Sequence, residues 1–299
     1  VIREVCDEIK KNGESYYLIS EEKRREMVKR SVAAITDIYQ NSILKDSSRN
    51  SFMIKRMEDL ADRTIWAMGE QLKCGDFVPF VFEHKFNMEV GDGDRKQLMS
   101  GTIDRVDICE NGTDVYVRII DYKTGKKDFN IVKTYYGIDI QLMVYMEAAM
   151  KLVAKMRPGK NVIPAGVFYY NISDPIVSAT TESAEEIEDK IKGELRLKGM
   201  VNSDKDIAEK MDNTEGTSLN IPVSRKADGG FDSRRSKVMN TEQFNMLGRF
   251  VDVRAVDTAD RIAGGDIRRS PYKDGQFSSC DRCPYGAVCG FSVDLPGCN

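Results

Sequence analysis

Apolar and polar residues alternate over three neighbouring stretches of the chain. Residues 77–90 read FVPFVFEHKFNMEV, residues 97–108 read QLMSGTIDRVDI, and residues 115–123 read VYVRIIDYK. The glycine-bearing segments GDGD (91–94) and ENGTD (110–114) separate them. This pattern predicts three strands joined as two consecutive hairpins. A further strand is predicted at 162–172 (VIPAGVFYYNI).

Helical periodicity appears on both sides of these strands. Residues 20–39 carry a helix-start signal and a stripe of apolar residues at a spacing of three to four, formed by Val28, Val32, Ile35 and Tyr39. Residues 133–157, closed by Pro158-Gly159, and residues 241–263 are also predicted helices. The polar residues 180–240 predict mobile loops.

These elements indicate an α/β protein with four segments. The segments are a helical segment at 1–76, a core at 77–175, loops with a helix completing that domain at 176–264, and a cysteine-rich clip at 265–299. The chain starts at Val1, apparently within a helix, and ends at Asn299 without a natural stop. We therefore expect a fragment of a longer protein.

Composition narrows the class of protein. With 299 residues, 41% hydrophobic and 31% charged, the chain is long enough to bury a core. It has no run of about 18 apolar residues, so we expect no membrane span. The net charge of −3 argues against a general polyanion binder. Seven unevenly placed cysteines favour a reduced, intracellular protein over a disulfide framework.

Acidic residues and a lysine stand at the ends of two predicted strands. Asp121 and Lys123 are two residues apart and point to the same face, while Asp104 lies on the preceding strand. Two neighbouring carboxylates repel each other, and a magnesium ion relieves that repulsion. The layout suits metal-assisted phosphodiester hydrolysis. The alternative is a surface salt bridge at a strand end.

Three further polar residues point to the same place. Glu83 lies on the first strand, where a third acidic group can reach the site, or where an alternating position faces solvent. Gln141 and Tyr145 are one helical turn apart and share a face, which either borders the site or is solvated.

The C-terminal sequence SSCDRCPYGAVCGF places Cys280, Cys283 and Cys289 in a C-x2-C-x5-C pattern. Thiolates at this spacing suit a zinc ion or an iron–sulfur cluster, and spacing alone makes zinc the generic choice. Cys109 is expected to be a small buried hydrophobe.

Basic residues form three short clusters. Lys123, Lys126, Lys127 and Lys133 surround the candidate site and suit a phosphate track, although short basic clusters are usually solvated faces. The other clusters are Arg234, Arg235 and Lys237, and Arg268 with Arg269. No segment suggests reading of base edges, so we expect little sequence preference.

The motifs GTIDRVD, IIDYKTG and QLMVY, in this order, resemble the RecB-type PD-(D/E)xK nucleases. From about Phe77 to Asn299 the chain is similar to the nuclease domain of AddB-type subunits of bacterial helicase–nucleases, while the first 76 residues match only in helical character. The resemblance implies a restriction-endonuclease-like fold, with a central mixed sheet flanked by helices.

The resemblance also implies roles for single residues. Asp104 and Asp121 would bind magnesium or manganese together with the backbone carbonyl of Tyr122, and Lys123 would be the catalytic lysine. Gln141 and Tyr145 would support the site, and Glu83 matches an acidic position before the first motif. Arg105 and Asp107 would be structural partners. The family's upstream histidine has no counterpart here, because His84 lies in the wrong motif.

For the cysteines, the resemblance implies a [4Fe–4S] cluster held by Cys280, Cys283, Cys289 and a fourth cysteine far upstream. The remaining candidates for that fourth ligand are Cys6, Cys74 and Cys298. We expect the cluster to be incomplete in this chain, and the segment after about Ser279 to be more mobile than the sheet.

The function implied is magnesium-dependent, exonuclease-like DNA hydrolysis in a cytoplasmic helicase–nuclease that processes double-strand break ends. Its partners would be single-stranded DNA or duplex ends and a helicase–nuclease partner subunit, with no membrane. The alternative is a catalytically inactive DNA-binding scaffold stapled by a cluster or by zinc.

Overall fold

The computed structural model describes residues 1–38, 47–91, 96–178, 181–275 and 277–292. Tyr39 of the predicted helical stripe, most of the predicted GDGD turn, and Cys298 lie outside the described residues.

A mixed sheet of six strands forms the centre of the protein. Its strands, in chain order and in spatial order, are β1 (Val78–Val90), β2 (Gln97–Asn111), β3 (Asp114–Lys123), β4 (Asn161–Asn171), β5 (Lys198–Asn202) and β6 (Val238–Met239). β1, β2 and β3 pair antiparallel, as the two predicted hairpins require. β3 pairs parallel with β4, β4 antiparallel with β5, and β5 parallel with β6.

Helices cover both faces of this sheet. Their bounds are α1 (Ile2–Lys11), α2 (Glu21–Ile38), α3 (Ser48–Lys73), α4 (Ile131–Tyr135), α5 (Gln141–Met156), α6 (Ala184–Glu194), α7 (Lys205–Met211), α8 (Thr241–Ala263) and α9 (Gly286–Cys289). A second, two-stranded sheet pairs β7 (Lys273–Asp274) with β8 (Phe277–Ser278), and a 3₁₀ turn follows at Ser279–Arg282.

Two hydrophobic cores hold these layers together. Residues of α5 and α8 pack on one face of the sheet, and residues of α3 and α7 pack on the other. α1 and α2 pack against α3 in a third core. The predicted α/β class, with a restriction-endonuclease-like mixed sheet flanked by helices, is confirmed. Within the described part of the chain, no helix is long and apolar enough to cross a membrane.

The helix predicted at 133–157 is two helices. α4 ends at Tyr135, and Gly137 adopts a φ of 75°, a left-handed conformation that ends the helix and that glycine adopts without steric cost. α5 then begins at Gln141. The apolar periodicity continued across this break and concealed it.

The polar region 180–240, which was predicted to include mobile loops, also contains regular elements. This region contributes α6, α7 and the strands β5 and β6 to the fold. Its polar residues are buried because they satisfy one another: Asp212 Oδ2 accepts hydrogen bonds from Ser218 Oγ at 2.8 Å and from Asn220 Nδ2 at 3.0 Å. Arg225 donates to the backbone carbonyls of Thr214, at 2.8 Å, and of Asp212. A polar sequence is ordered here by internal hydrogen bonds.

A buried charge cluster joins β2 to β3. Arg105 donates two hydrogen bonds to Asp107, both at 2.7 Å, and Arg118 Nε donates a third at 2.8 Å. The three side chains are almost fully buried. Burial alone would raise the pKa of Asp107, but the two guanidinium groups hold that pKa below its ordinary value. Arg118 also lies over the ring of Phe77 at 4.9 Å.

Removing the shared carboxylate should be severely destabilising. We expect Asp107→Ala to lower the free energy of unfolding by about 3–5 kcal/mol, because two buried arginines would lose their counter-charge. Asp59→Ala, which breaks an exposed pair with Lys55, is the matched control and should cost less than about 1 kcal/mol. Urea unfolding of both variants measures the difference. Equal costs would contradict a structural role for Asp107.

Candidate active site

Asp104 and Asp121 come together where the pairing of β2 with β3 ends. The last paired positions are Arg105 and Ile120, and the two aspartates follow them directly. Asp104 Oδ2 accepts a hydrogen bond of 2.7 Å from the backbone N–H of Tyr122. A side chain thus takes the place of the next bond between the strands, which fixes the position of the carboxylate.

Lys123 lies beside the second carboxylate. Its Nζ is 2.5 Å from Asp121 Oδ2 and 5.7 Å from the ring centroid of Tyr169. Asp121 is 2% exposed, and within the described part of the chain its Oδ2 makes no hydrogen bond of acceptable geometry. A buried carboxylate oxygen held only by an ion pair retains capacity for a further cationic partner.

The surroundings of both aspartates disfavour the ionised form of the side chain. Burial raises the pKa of Asp104, and the charges of Asp121 and Glu83 raise it further, against the Tyr122 N–H and Lys123, which lower it. Burial also raises the pKa of Asp121, with Lys123 and Lys127 acting in the opposite direction. A nearby cation would therefore favour the ionised form of each carboxylate.

This donor set fits magnesium or manganese. Both ions prefer oxygen ligands, and magnesium is commonly bound by one or two carboxylates with waters and a phosphate oxygen. Asp104 and the buried Asp121 carboxylate, whose Oδ2 is paired with Lys123, supply such oxygens. Among the described residues, no group of three or more His, Cys, Asp or Glu side chains is arranged to hold a metal. The suitability of the site for a metal ion therefore rests on the two carboxylates of Asp104 and Asp121 alone.

Glu83 lies on the edge of the same region. It lines a pocket of about 380 Å³ together with Asp104 and Tyr122. Its carboxylate accepts a hydrogen bond of 2.8 Å from Arg3, and both side chains are about half exposed. Glu83 has a φ of 47°, which is uncommon for a residue other than glycine, and it lies within β1. The predicted third acidic group is thus close to Asp104 and paired with Arg3.

The polar pair on α5 is joined as its spacing predicts. Gln141 Nε2 donates to Tyr145 Oη at 3.0 Å, and Tyr145 packs edge-on against Phe86 with ring centroids 5.7 Å apart. A Cβ at Gly101 would come within 2.8 Å of the Phe86 ring and 3.2 Å of the Tyr145 ring. The glycine of GTIDRVD therefore makes room for the helix that carries Gln141.

A second cluster beside Lys123 was missed by sequence reasoning. Tyr169 Oη donates to Asp139 Oδ1 at 2.8 Å, and Lys127 Nζ lies 3.1 Å from the same oxygen. Lys127 Nζ also lies 4.4 Å from the ring centroid of Tyr169. Tyr169 pairs with Asp121 in the parallel ladder of β3 and β4. The available signal was the alternation of β4, which places Tyr169 on the face of Asp121.

The cysteines do not assemble a ligand set within the described residues. Cys280 and Cys283 are exposed, Cys289 is partly exposed, and all three are free thiols. Cys6 is fully buried in the core of α1, α2 and α3, and burial raises the pKa of its thiol to about 12. The described cysteines therefore do not fit a four-thiolate cluster, and the predicted [4Fe–4S] group has no ligand set here.

The chain is similar to named proteins over most of its length. The family model described as the PD-(D/E)XK nuclease superfamily matches residues 14–290, so the likeness also includes α2 and α3. The chain is 36% identical over 266 residues to the B-type subunit of the ATP-dependent helicase/deoxyribonuclease of Clostridium botulinum, covering 85% of this chain and 23% of that protein.

Two further relatives carry the same name. Identity is 32% over 308 residues with that of Thermoanaerobacter sp. (strain X514), covering 99% of this chain and 26% of the relative. It is 33% over 293 residues with that of Lachnoclostridium phytofermentans, covering 95% and 25%. The chain spans about a quarter of the length of these relatives.

The buried charge at the site makes a prediction about stability. Because the folded chain raises the pKa of Asp121, the ionised side chain lowers stability at all pH values above its unfolded pKa. Without divalent ions at neutral pH, Asp121→Asn should therefore be more stable than the wild type, by on the order of 1 kcal/mol. Magnesium should raise the melting temperature of the wild type and leave the variant unchanged.

The matched control is Asp128→Asn, which alters an exposed carboxylate paired with Lys237. Its magnesium response should equal that of the wild type. Thermal unfolding with magnesium and with chelator measures all three proteins, and an equal magnesium shift in Asp121→Asn would remove Asp121 from the ion's ligands.

Proposed function

Because the chain belongs to the PD-(D/E)XK nuclease superfamily, we propose that it hydrolyses phosphodiester bonds of DNA with magnesium or manganese. One observation carries the proposal: Asp104 and Asp121 adjoin at the end of two paired strands, with Lys123 Nζ 2.5 Å from the buried Asp121 carboxylate. A surface salt bridge does not account for this arrangement, because Asp121 is 2% exposed.

Asp104, Asp121 and the backbone carbonyl of Tyr122 would hold the metal ion. When bound, such an ion polarises a phosphoryl oxygen and lowers the pKa of a bound water. The protein prepares its ligands beforehand, since the Tyr122 N–H fixes Asp104 and the strand fixes Asp121. This preorganisation reduces the rearrangement needed at the moment of reaction.

Lys123 supplies the positive charge nearest to the carboxylates. Its ammonium group orients the attacking water and stabilises the negative charge that develops on the phosphoryl oxygens. Gln141 and Tyr145, joined by their hydrogen bond, position the site from α5. Glu83 adds a third acidic group at the edge of the site, where Arg3 balances its charge.

A cleft with four basic residues leads away from Lys123 and suits the DNA backbone. It has a volume of about 770 Å³, begins at Thr124 and is lined by Arg56, Lys126, Lys127 and Lys198, and also by the acidic Asp128, Asp174 and Glu194. In the part of the chain that the structure describes, Arg56, Lys126 and Lys198 make no ion pair, which leaves them free to contact phosphates. Phosphate contacts carry no sequence information, so cleavage should be insensitive to sequence.

The biological setting is proposed from the name that the relatives share. We place this nuclease domain in a bacterial, cytoplasmic helicase–nuclease that acts on DNA ends with a partner subunit. The exonuclease-like mode belongs to the same proposal. The [4Fe–4S] cluster stays a prediction that would require a fourth thiolate beside Cys280, Cys283 and Cys289.

Replacing either central residue should abolish cleavage. We expect Asp121→Ala and Lys123→Ala to lower the rate of linear-DNA degradation at least about a hundredfold, because each removes charge at the reacting phosphate. Both side chains stand at a strand end, so the far-ultraviolet circular dichroism should be retained. Lys55→Ala, an exposed change on α3, should cleave like the wild type.

Wild-type rates for either site variant, in a preparation free of contaminating nuclease, would reject the assignment. They would favour the alternative of a catalytically inactive DNA-binding scaffold.

Cleavage should also depend on which divalent metal ion is supplied. Magnesium and manganese should support turnover, whereas calcium should bind and fail to support it, since its longer bonds and looser geometry misplace the water. Degradation assays with each ion, and competition of calcium against magnesium, measure this. Calcium turnover equal to that with magnesium would contradict a site of two rigid carboxylates.

A further inference from the structure

The short helix α4 and the turn after it expose an unusual amount of apolar surface. Five of the eight residues 131–138 are large exposed hydrophobics: Ile131, Val132, Tyr135, Tyr136 and Ile138. Tyr135 is 58% exposed and Tyr136 is 53% exposed. Contiguous exposed apolar surface next to a functional site usually marks a binding surface. We refer to residues 131–138 as the α4 patch.

Neighbouring aromatic rings pack against the two tyrosine rings. Tyr135 stacks on Phe250 of α8, with ring centroids 5.2 Å apart and planes within 7° of parallel. Tyr136 packs edge-on against Tyr135 at 5.2 Å and lies 5.0 Å from Tyr272. These ring contacts restrain both tyrosines while more than half of each residue remains accessible. A ring fixed in this way loses little conformational entropy when a ligand stacks on it.

The α4 patch is attached to the wall of the candidate active site. Thr134 Oγ1 donates to the backbone carbonyl of Asp139 at 2.9 Å, and the Asp139 carboxylate contacts Tyr169 and Lys127. Asp121, Lys123 and α4 are also close along the chain, because only residues 124–130 separate β3 from α4.

The charges around the patch match a polyanion. Lys126 and Lys127 precede it, and Lys133 lies within it, with Nζ 4.5 Å from the ring centroid of Phe277. Two acidic residues close to the patch are engaged in ion pairs: Asp128 pairs with Lys237, and Asp139 with Lys127. Exposed lysines interleaved with exposed aromatic rings are the combination that binds single-stranded nucleic acid.

We propose that the α4 patch binds single-stranded DNA, with unpaired bases stacking on Tyr135 and Tyr136 and phosphates contacting Lys126 and Lys133. The proposal rests on the proposed nuclease function and adds a binding surface for the strand outside the candidate active site. A duplex keeps its base faces covered, so the rings select an unwound strand. The lysines favour DNA over a partner protein, because lysine is depleted at the centres of protein–protein interfaces.

The test measures binding without cleavage. In the Asp121→Ala background with chelator, fluorescence anisotropy compares a labelled oligothymidylate with an oligonucleotide of equal length whose bases are replaced by abasic sites. The two probes carry the same phosphate charge. The Asp121→Ala protein with both tyrosines should bind the base-bearing probe about tenfold more tightly than the abasic one, because stacking needs the base.

Matched variants separate stacking from charge. Tyr135→Leu with Tyr136→Leu keeps apolar volume against Phe250 but removes the rings, and it should erase the difference between the probes. Tyr135→Trp should retain that difference. Lys126→Ala with Lys133→Ala should weaken both probes equally and reduce the salt dependence of binding. Ile138→Ala, an exposed apolar change in the same patch, should leave probe discrimination intact.

Several results would overturn the proposal. Equal affinity for the two probes with both tyrosines present, or undiminished discrimination after the double leucine change, would exclude stacking. Loss of association with a partner protein in the leucine variant, with DNA binding unchanged, would assign the patch to a protein interface.

Failure of the proposed nuclease function would give a different set of results from failure of the stacking surface. If Asp121→Ala and Lys123→Ala cleave DNA like the wild type, the nuclease site is wrong whatever the anisotropy shows. If they are inactive and discrimination is absent, only the stacking surface is wrong.

Discussion

The register of β2 against β3 is the constraint on which the candidate site depends. A shift of one residue would send Asp104 to the opposite face of the sheet and separate it from Asp121. The register is held by Asp107 and Arg118, which are direct partners across the two strands, and by Arg105, which binds the same carboxylate. The motif GTIDRVD thus carries both a metal-binding candidate and residues that fix the strand register.

This role in fixing the strand register explains why the protein tolerates a cluster of charges in its interior. Two arginines sharing one buried aspartate are not an efficient source of stability, since apolar residues often serve as well. These charged residues do select one strand register, however, because no slipped register brings Arg118 opposite Asp107. Fixing the register keeps the two carboxylates of the site together. Both carboxylates carry raised pKa values, and they would move apart if the strands allowed it.

The strands around the site could be predicted because their signals are local. Alternation and turn chemistry predict β1, β2 and β3, and the order of the motifs indicates that Asp104, Asp121 and Lys123 lie close together. The hydrogen bond between Gln141 and Tyr145 followed from helical spacing. Other features depend on contacts between distant segments, which sequence spacing does not reveal. The region at 181–240 joins the sheet because Asp212 and Arg225 satisfy buried backbone and hydroxyl groups across long loops. The break at Gly137 was hidden because its flanks are equally apolar.

The parallel pairing of β3 with β4 also places the surfaces proposed to bind DNA at one edge of the sheet. Parallel strands end at the same edge of a sheet, so the loop that follows Lys123 lies beside the end of β4. Asn171 fastens that loop, since its side chain accepts from the Lys127 N–H and donates to the Lys127 carbonyl, both at 3.0 Å. The anchored loop carries Lys126 and Lys127 and leads directly into α4. Lys123, the cleft that begins at Thr124 and the α4 patch are therefore all positioned by one edge of the sheet.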